Sequence, residues 1–272
     1  MIKIVTDSTC CITREFAKQH DIRVIPLKIL FSDEEFYEGF PGEYDRFYQK
    51  LESSKEIPKT SLPSPEAFAE AFDSIVSQGD EVICITLASA LSGTVNSARV
   101  AAENFPGKVS VIDSGSTCQS LQFMIEDILD LMQNGMPREE IAAKIEENKQ
   151  QYYISFVPDT MEYLKRGGRI SLVKASIATI LKIKPIFRFQ NNKLEITRKT
   201  LGMNMAINEL VASIPAGVKK IFALCIGNSE YFHSLQEKLK KKFENIVVRV
   251  GEICPVLGTH VGPGTVGVAC AL

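Results

Sequence analysis

Apolar and polar positions alternate along this chain in two rhythms. Ile2–Val5, Val24–Leu30, Glu81–Thr86 and Val109–Ile112 are short β-rich or apolar runs. Between them lie stretches with helical spacing: Thr13–His20, Phe68-Ala71-Phe72-Ile75 ending near Gly79, Val95–Asn104, and Thr117 to Asn134, which Gly135 stops. Ser64 is a good N-cap, Pro65 suits a first helical position, and Pro137 starts the next helix. Ser32–Pro58 reads as a charged, glycine-bearing loop with one helix around Tyr44–Ser53. Strands alternating with helices predict a parallel sheet over roughly the first 150 residues.

The rhythm then changes. Tyr152–Val157 reads as a strand, and Asp159 caps a short helix that ends at Gly167-Gly168. An apolar helix is expected over Ser171–Ile183. Ile186–Phe189 and Leu194–Arg198 flank Gln190-Asn191-Asn192-Lys193, a hairpin signal. Helices over Met203–Ile214 and Glu230–Phe243 and strands over Lys220–Ile226, Val247–Gly251 and Val266–Ala271 complete the chain. The expected fold is α/β in two domains. Residues 1–155 form a parallel, Rossmann-like sheet with helices on both faces, and residues 156–272 form an α/β unit with a mixed or antiparallel sheet.

Composition narrows the function. With 272 residues, 45% of them hydrophobic, the chain can bury a substantial core. A net charge of −2 gives no global pull toward nucleic acid. Seven scattered cysteines without a C-x-x-C are expected to be reduced core residues of a cytoplasmic protein. The start of the chain reads as a strand rather than a signal peptide, and no apolar run approaches the ~20 residues of a membrane span. His20, His233 and His260 are separated from one another and from cysteines, so no metal and no cofactor is expected.

Three polar stretches stand apart: Lys59-Thr60-Ser61-Leu62-Pro63-Ser64-Pro65, Ala90-Leu91-Ser92-Gly93-Thr94 and His260-Val261-Gly262-Pro263-Gly264-Thr265. Hydroxyls, glycine amides and an imidazole are good donors for an oxyanion, and none of the three contains a carboxylate. Open parallel sheets bind ligands beyond the carboxyl ends of their strands. Asp7-Ser8-Thr9, Leu87–Gly93 and Asp113-Ser114-Gly115-Ser116 fall there, and Ser92-Gly93-Thr94 opens a helix whose amides can face an anion. Each has a plainer reading beside it. Ser92 or Thr94 serves only as a helix cap, Asp7 and Asp113 bond their own loops, and His260 is structural. The glycines after His260 satisfy G-x-G-x-x-G, but a strand follows them rather than a helix. A G-x-S-x-G elbow and a phosphate-binding P-loop are missing.

Taken in order, several motifs resemble the DegV family over nearly the whole chain. They are Val5-Thr6-Asp7-Ser8, Thr60-Ser61-Leu62-Pro63-Ser64, Leu91-Ser92-Gly93-Thr94, Leu164-Lys165-Arg166-Gly167-Gly168-Arg169-Ile170-Ser171, Arg198-Lys199 and His260-Val261-Gly262-Pro263-Gly264. The resemblance implies a two-domain α/β protein with a long-chain fatty acid between the domains. It further implies the non-catalytic, substrate-carrying subunit of a bacterial fatty-acid kinase, which presents the carboxylate to a separate ATP-binding subunit that makes an acyl phosphate. Carried over, Thr60, Ser61, Ser92, Gly93 and His260 contact the ligand, Arg169 supports the head group, and Arg198 faces the kinase subunit. Thr259 and Val261 beside the histidine depart slightly from the family pattern. The alternative is a stand-alone hydrolase with Ser92 as nucleophile and His260 as base, or a phosphotransferase built on Asp7 and Asp113. A nucleophilic serine needs a base oriented by a third group, and the acidic residue nearest His260 in sequence is Glu252.

Overall fold

The computed structural model describes residues 1–54, 56, 58–173, 183–227 and 229–272. The chain opens with β1 (Ile2–Asp7), α1 (Arg14–Gln19), β2 (Arg23–Ile25), β3 (Lys28–Leu30), β4 (Glu35–Tyr37), α2 (Asp45–Ser53) and β5 (Lys59–Ser61). Next come α3 (Pro65–Val76), β6 (Glu81–Thr86), α4 (Thr94–Ala102), β7 (Val109–Asp113), α5 (Cys118–Gln133) and α6 (Arg138–Asn148). The second half contains β8 (Tyr152–Val157), α7 (Glu162–Arg166), β9 (Ile183–Gln190), β10 (Lys193–Leu201), α8 (Met203–Ala212) and β11 (Lys220–Cys225). It ends with α9 (Glu230–Lys242), β12 (Val248–Glu252), α10 (Pro255–Val261) and β13 (Val266–Ala271).

Strands β2-β1-β6-β7 form a fully parallel sheet. Neighbouring residues of one strand serve opposite faces. Val5, Val82 and Cys84 pack with Phe68 and Phe72 of α3 and Ala98 of α4. Ile4, Ile83 and Ile85 pack with Ala17 of α1, Ile125 of α5 and Ile141 of α6. Both faces are covered, so the strands read as continuous apolar runs. The second sheet, ordered β10-β9-β8-β13-β11-β12, is antiparallel except for β11 beside β12. Its far face packs on α8 and α9. Its near face meets α5, where the Phe123 and Phe222 rings lie 5.2 Å apart. Helix α5 is buried along Cys118–Ile125 because it is covered from both sheets. Lys220 to Asp127 (2.8 Å) and Arg249 to Glu126 (2.6 Å) fasten its middle to the second sheet.

The β9–β10 turn docks onto the first sheet. Asn191 and Asn192 both adopt positive φ, 47° and 61°, as a two-residue hairpin turn of type I′ requires. Asn192 Nδ2 donates to Asp113 at 2.9 Å, and its backbone N donates to Gly115 O at 2.9 Å. Gly115 (φ 60°) leaves room for this approach, since a Cβ there would lie 3.1 Å from Asn191 Cα.

Several expectations need correction. The Val24–Leu30 run is two strands in different sheets, because Pro26 interrupts the ladder. The charged segment after it holds β4, which joins β3 and β5 in a small antiparallel sheet ordered β4-β3-β5. The head of the first polar stretch, Lys59–Ser61, is therefore a strand. Asp159 does not cap α7; it pairs with Lys184 at 2.8 Å, while Thr160 Oγ1 accepts from Glu162 N. Most of the span Ser171–Ile183, expected to be an apolar helix, lies outside the described residues; of the rest, Ser171 and Leu172 belong to a 3-10 turn over Arg169–Leu172 and Ile183 to β9. Helix α10 was not expected. The seven cysteines are free and buried. Among the described residues no helix is long and apolar enough to cross a membrane.

Candidate functional site

A cavity of about 180 Å³ lies between the carboxyl end of the parallel sheet, the small β-sheet and the near face of the second sheet. Its walls are mostly apolar: Ile154, Phe156, Phe189, Leu194 and Leu224 from the second sheet, Val256, Leu257 and Val261 from α10, and Leu27, Leu87, Leu91 and Leu164 elsewhere. Its polar lining is Thr60, Ser61, Ser92, Thr117, Arg169, His260 and Thr265, with the Gly93 backbone. No acidic residue is among the described residues that line it. Thus Thr60, Ser61, Ser92, Gly93, Arg169 and His260, read from three distant stretches and a helix end, share one cavity.

Thr60 Oγ1 lies 3.0 Å from His260 Nε2. Thr60 comes from β5, which pairs with β3, and His260 from the last turn of α10. The imidazole is largely buried, and its Nδ1, shut off from solvent, has no partner. Burial, aided by the nearby Arg169 charge, pushes its pKa down to about 3, so the ring is neutral at working pH. An orphaned N–H is costlier than a bare acceptor. The favoured tautomer therefore carries its proton on Nε2 and donates it to Thr60 Oγ1, which leaves the threonine hydroxyl hydrogen free to donate into the cavity. Gly167 makes room for the ring: a Cβ there would lie 2.4 Å from His260 Nδ1.

Ser92 does not cap α4. Gly93 holds the N-cap position without a side-chain bond, and Ser92 Oγ lies 2.9 Å from Thr94 Oγ1. Asn96 N already donates to Gly93 O at 2.9 Å, but the Thr94 and Val95 amides have no side-chain cap at the cavity wall, where the helix dipole favours negative charge. Arg169 is half-buried. It donates to Gly167 O (2.8 Å) and Leu91 O (3.2 Å), and among the described residues it forms no ion pair. Burial pushes its pKa down, the signature of a cation without a counter-charge. Neutral donors, a helix end and an uncompensated guanidinium on an otherwise apolar cavity suit an amphiphilic anion.

The alternative roles fare differently. Asp7 is fully buried and accepts from Thr9 N (2.9 Å), Thr9 Oγ1 (2.6 Å) and Leu87 N (2.7 Å). Burial raises its pKa against those bonds. Asp113 accepts from Ser89 N, Gly115 N and Asn192 Nδ2, at 2.9–3.0 Å. Burial opposes its ionisation, but those bonds prevail and hold its pKa below the usual range. Both carboxylates are occupied in holding loops. Ser92 and His260 each bond a different hydroxyl, and Glu252 accepts from Gly42 N rather than orienting the imidazole. Among the described residues no cluster of His, Cys, Asp or Glu is grouped to hold a metal. Arg198 lies away from the cavity on β10, two-thirds exposed and 3.6 Å from Glu209. Sequence reasoning missed Thr117 and the whole apolar wall, whose leucines and phenylalanines look like any core residues until the fold curves them around a void.

Comparison with known proteins places this geometry in context. A family model described as an uncharacterised protein of the DegV family matches residues 1–272. A DegV domain-containing protein of Clostridium acetobutylicum is 33% identical over 278 residues, covering 98% of this chain and 96% of its own. Among solved structures, a fatty-acid-binding DegV family protein from Thermus thermophilus superposes with a TM-score of 0.89 at 29% identity, covering 99% of both chains. DegV from Bacillus subtilis, described as a fatty acid binding protein, has a TM-score of 0.87 at 29% identity, covering 100% of this chain and 99% of its own.

Proposed function

The chain belongs to the DegV family, and on that footing we propose that it binds one long-chain fatty acid, with the tail in the apolar cavity and the carboxylate at Thr60, Ser92, Arg169 and His260. Ser61 and the Gly93 backbone complete the head-group region, and the ligand lies between domains that divide near residue 155. The observation that carries this reading is the half-buried, unpaired Arg169 beside neutral donors on an apolar cavity without acidic lining. The structural relatives described as fatty-acid-binding support it.

The energetics divide by region. Each buried methylene contributes roughly 0.8 kcal/mol. The fourteen methylenes of palmitate then supply about 11 kcal/mol, against association costs of about 4–15 kcal/mol. The tail supplies affinity. The head-group donors fix where the carboxylate oxygen lies, and hydroxyl donors favour its ionised form.

The same reading makes the chain a carrier: it presents the carboxylate to a separate ATP-dependent kinase subunit that forms the acyl phosphate. Arg198, exposed on β10, is the residue placed to meet that subunit. The motif resemblance supports this step. The test is reconstitution. The pure chain with ATP, Mg²⁺ and palmitate yields no acyl phosphate, and adding a bacterial fatty-acid kinase subunit restores formation. Acyl phosphate or ester hydrolysis from the pure chain would favour the Ser92–His260 or Asp7–Asp113 enzyme instead.

A further inference from the structure

Helix α10 carries His260 in its last turn but has no cap of its own. Cys254 stands at its N-cap position and makes no capping bond to the helix; its thiol bonds Glu38 and Cys11 instead. The amide of Val256, one of the donors a helix start leaves orphaned, is instead met by Glu38 Oε1 at 2.6 Å, from 218 residues away. Glu38 follows β4 and is 5% exposed. Its other oxygen, Oε2, accepts from Ser8 Oγ at 2.5 Å. Ser8 Oγ in turn accepts from Leu27 N at 3.0 Å, so its own hydrogen is committed to Glu38. Both carboxylate oxygens therefore face donors. A proton on Oε1 would oppose the Val256 amide, whereas a proton on Oε2 reverses the Ser8 bond, which turns the Ser8 hydrogen away and leaves Oε1 a neutral acceptor. In either case the bond that caps α10 loses its charge assistance and weakens. Val256 and His260 are four residues apart, one turn of the same helix face.

We propose that Glu38 is a positioning residue whose carboxylate caps α10, holds His260 against Thr60, and so ties fatty-acid retention to whether that carboxylate is ionised. This rests on the fatty-acid reading above. Burying a carboxylate is expensive, and a local Ser or Asp would cap the helix more cheaply. Burial pushes the Glu38 carboxyl up to about 7, against the bonds from Ser8, Val256 and the Cys254 thiol, and nearby Asp7 adds to the shift. The other ionisable groups that face it are Cys254 from the start of α10 and Tyr44 and Tyr48 from α2 and its start. Burial pushes Cys254 up to about 12 and both tyrosines higher, so these stay neutral near pH 7. Asp7 is the one neighbour that needs a control.

The experiment follows the His260 ring resonances of the full chain by NMR from pH 5.5 to 8.5, assigned by their loss in His260→Gln. The ring itself stays neutral across this range. An inflection near pH 7 is expected in wild type and in Asp7→Asn, and is expected to vanish in Glu38→Gln. A flat wild-type trace, an inflection that survives Glu38→Gln, or one abolished by Asp7→Asn would overturn the proposal. Should Glu38→Gln fail to fold, Ser8→Ala keeps the carboxyl but removes a bond that favours its anion, so the midpoint must rise; an unmoved midpoint would overturn it equally. In the ligand arm, palmitate affinity is measured for wild type and Glu38→Gln at pH 8 and pH 6, and their ratio cancels titration of palmitate itself. The wild-type advantage is expected to shrink about fivefold at pH 6, the worth of one helix cap. An equal ratio at both pH values would overturn the retention half. A chain that takes up no palmitate sinks the proposed function, while the NMR arm still decides the coupling of Glu38 to His260.

Discussion

Replacing Thr60 with valine removes one hydroxyl and keeps the shape of the side chain. In the structure that hydroxyl is the partner of His260 Nε2, 3.0 Å away, and the other ring nitrogen has none. Two effects follow, and they separate experimentally. In the free protein Thr60→Val leaves both nitrogens of a largely buried imidazole unbonded, at a cost of about 1–3 kcal/mol in stability. In the complex it also removes a hydrogen bond to a charged group, worth about 1.5–3 kcal/mol, which is a loss of about 10- to 150-fold in affinity. The tail is untouched, and its roughly 11 kcal/mol is several times larger, so the variant still binds palmitate, only more weakly. Isothermal titration of delipidated protein with palmitate and with methyl palmitate reads this directly. The ester keeps the tail and lacks the charge, so the wild-type preference for acid over ester should narrow in Thr60→Val, while thermal denaturation of the free protein shifts down. Unchanged palmitate affinity with an unchanged acid-to-ester preference would place the carboxylate elsewhere and refute the reasoning.

Other predictions follow from the same geometry. Ser92→Ala should weaken palmitate binding about 10- to 100-fold and reduce acyl-phosphate yield further, because transfer needs a fixed oxygen. Combined with His260→Ala it should be less than additive if both hold one carboxylate; additive losses would separate their roles. Gly167→Ala puts a methyl 2.4 Å from His260 Nδ1, so binding should fall, and a crystal structure of the variant should show the imidazole displaced from Thr60; wild-type affinity would show that the ring shifts freely. Arg198→Ala should leave lipid binding intact and lower acyl-phosphate yield with the kinase subunit, since its exposed pair with Glu209 contributes little to stability; equal loss of both would put Arg198 in the pocket. The pH dependence of unfolding has two opposing parts. His260, depressed from 6.5 to about 3, contributes stability above pH 6.5 that is lost as pH falls toward 3. Glu38, raised from 4.5 to about 7, contributes stability below pH 4.5 that is lost as pH rises toward 7. Between about 4.5 and 6.5 they offset each other in wild type, so urea unfolding of Glu38→Gln should show a slope there that wild type lacks.

The two large sheets were legible because their central strands are continuous apolar runs bounded by turn residues, as in Glu81–Thr86 of the first and Tyr152–Val157 of the second, whose limits match the observed strands. The head-group residues were legible as chemistry, since hydroxyls and glycines clustered without carboxylates stand out from an apolar background. What stayed hidden was non-local. Pro255–Val261 contains glycine and β-branched residues and lacks its own cap, so nothing nearby announces a helix; its cap is Glu38, supplied by the fold. The β3, β4 and β5 strands are three residues each, too short for any period to register. The cavity wall, from Phe156 to Leu224, carries the pattern of a filled core because its residues pack as one on every side but that facing the void.

Native mass spectrometry of the freshly purified chain tests the central claim most directly. The account predicts a mass excess equal to one long-chain fatty acid per chain, exchanged for palmitate when that is added. A chain that is empty as purified and takes up neither palmitate nor oleate would contradict it.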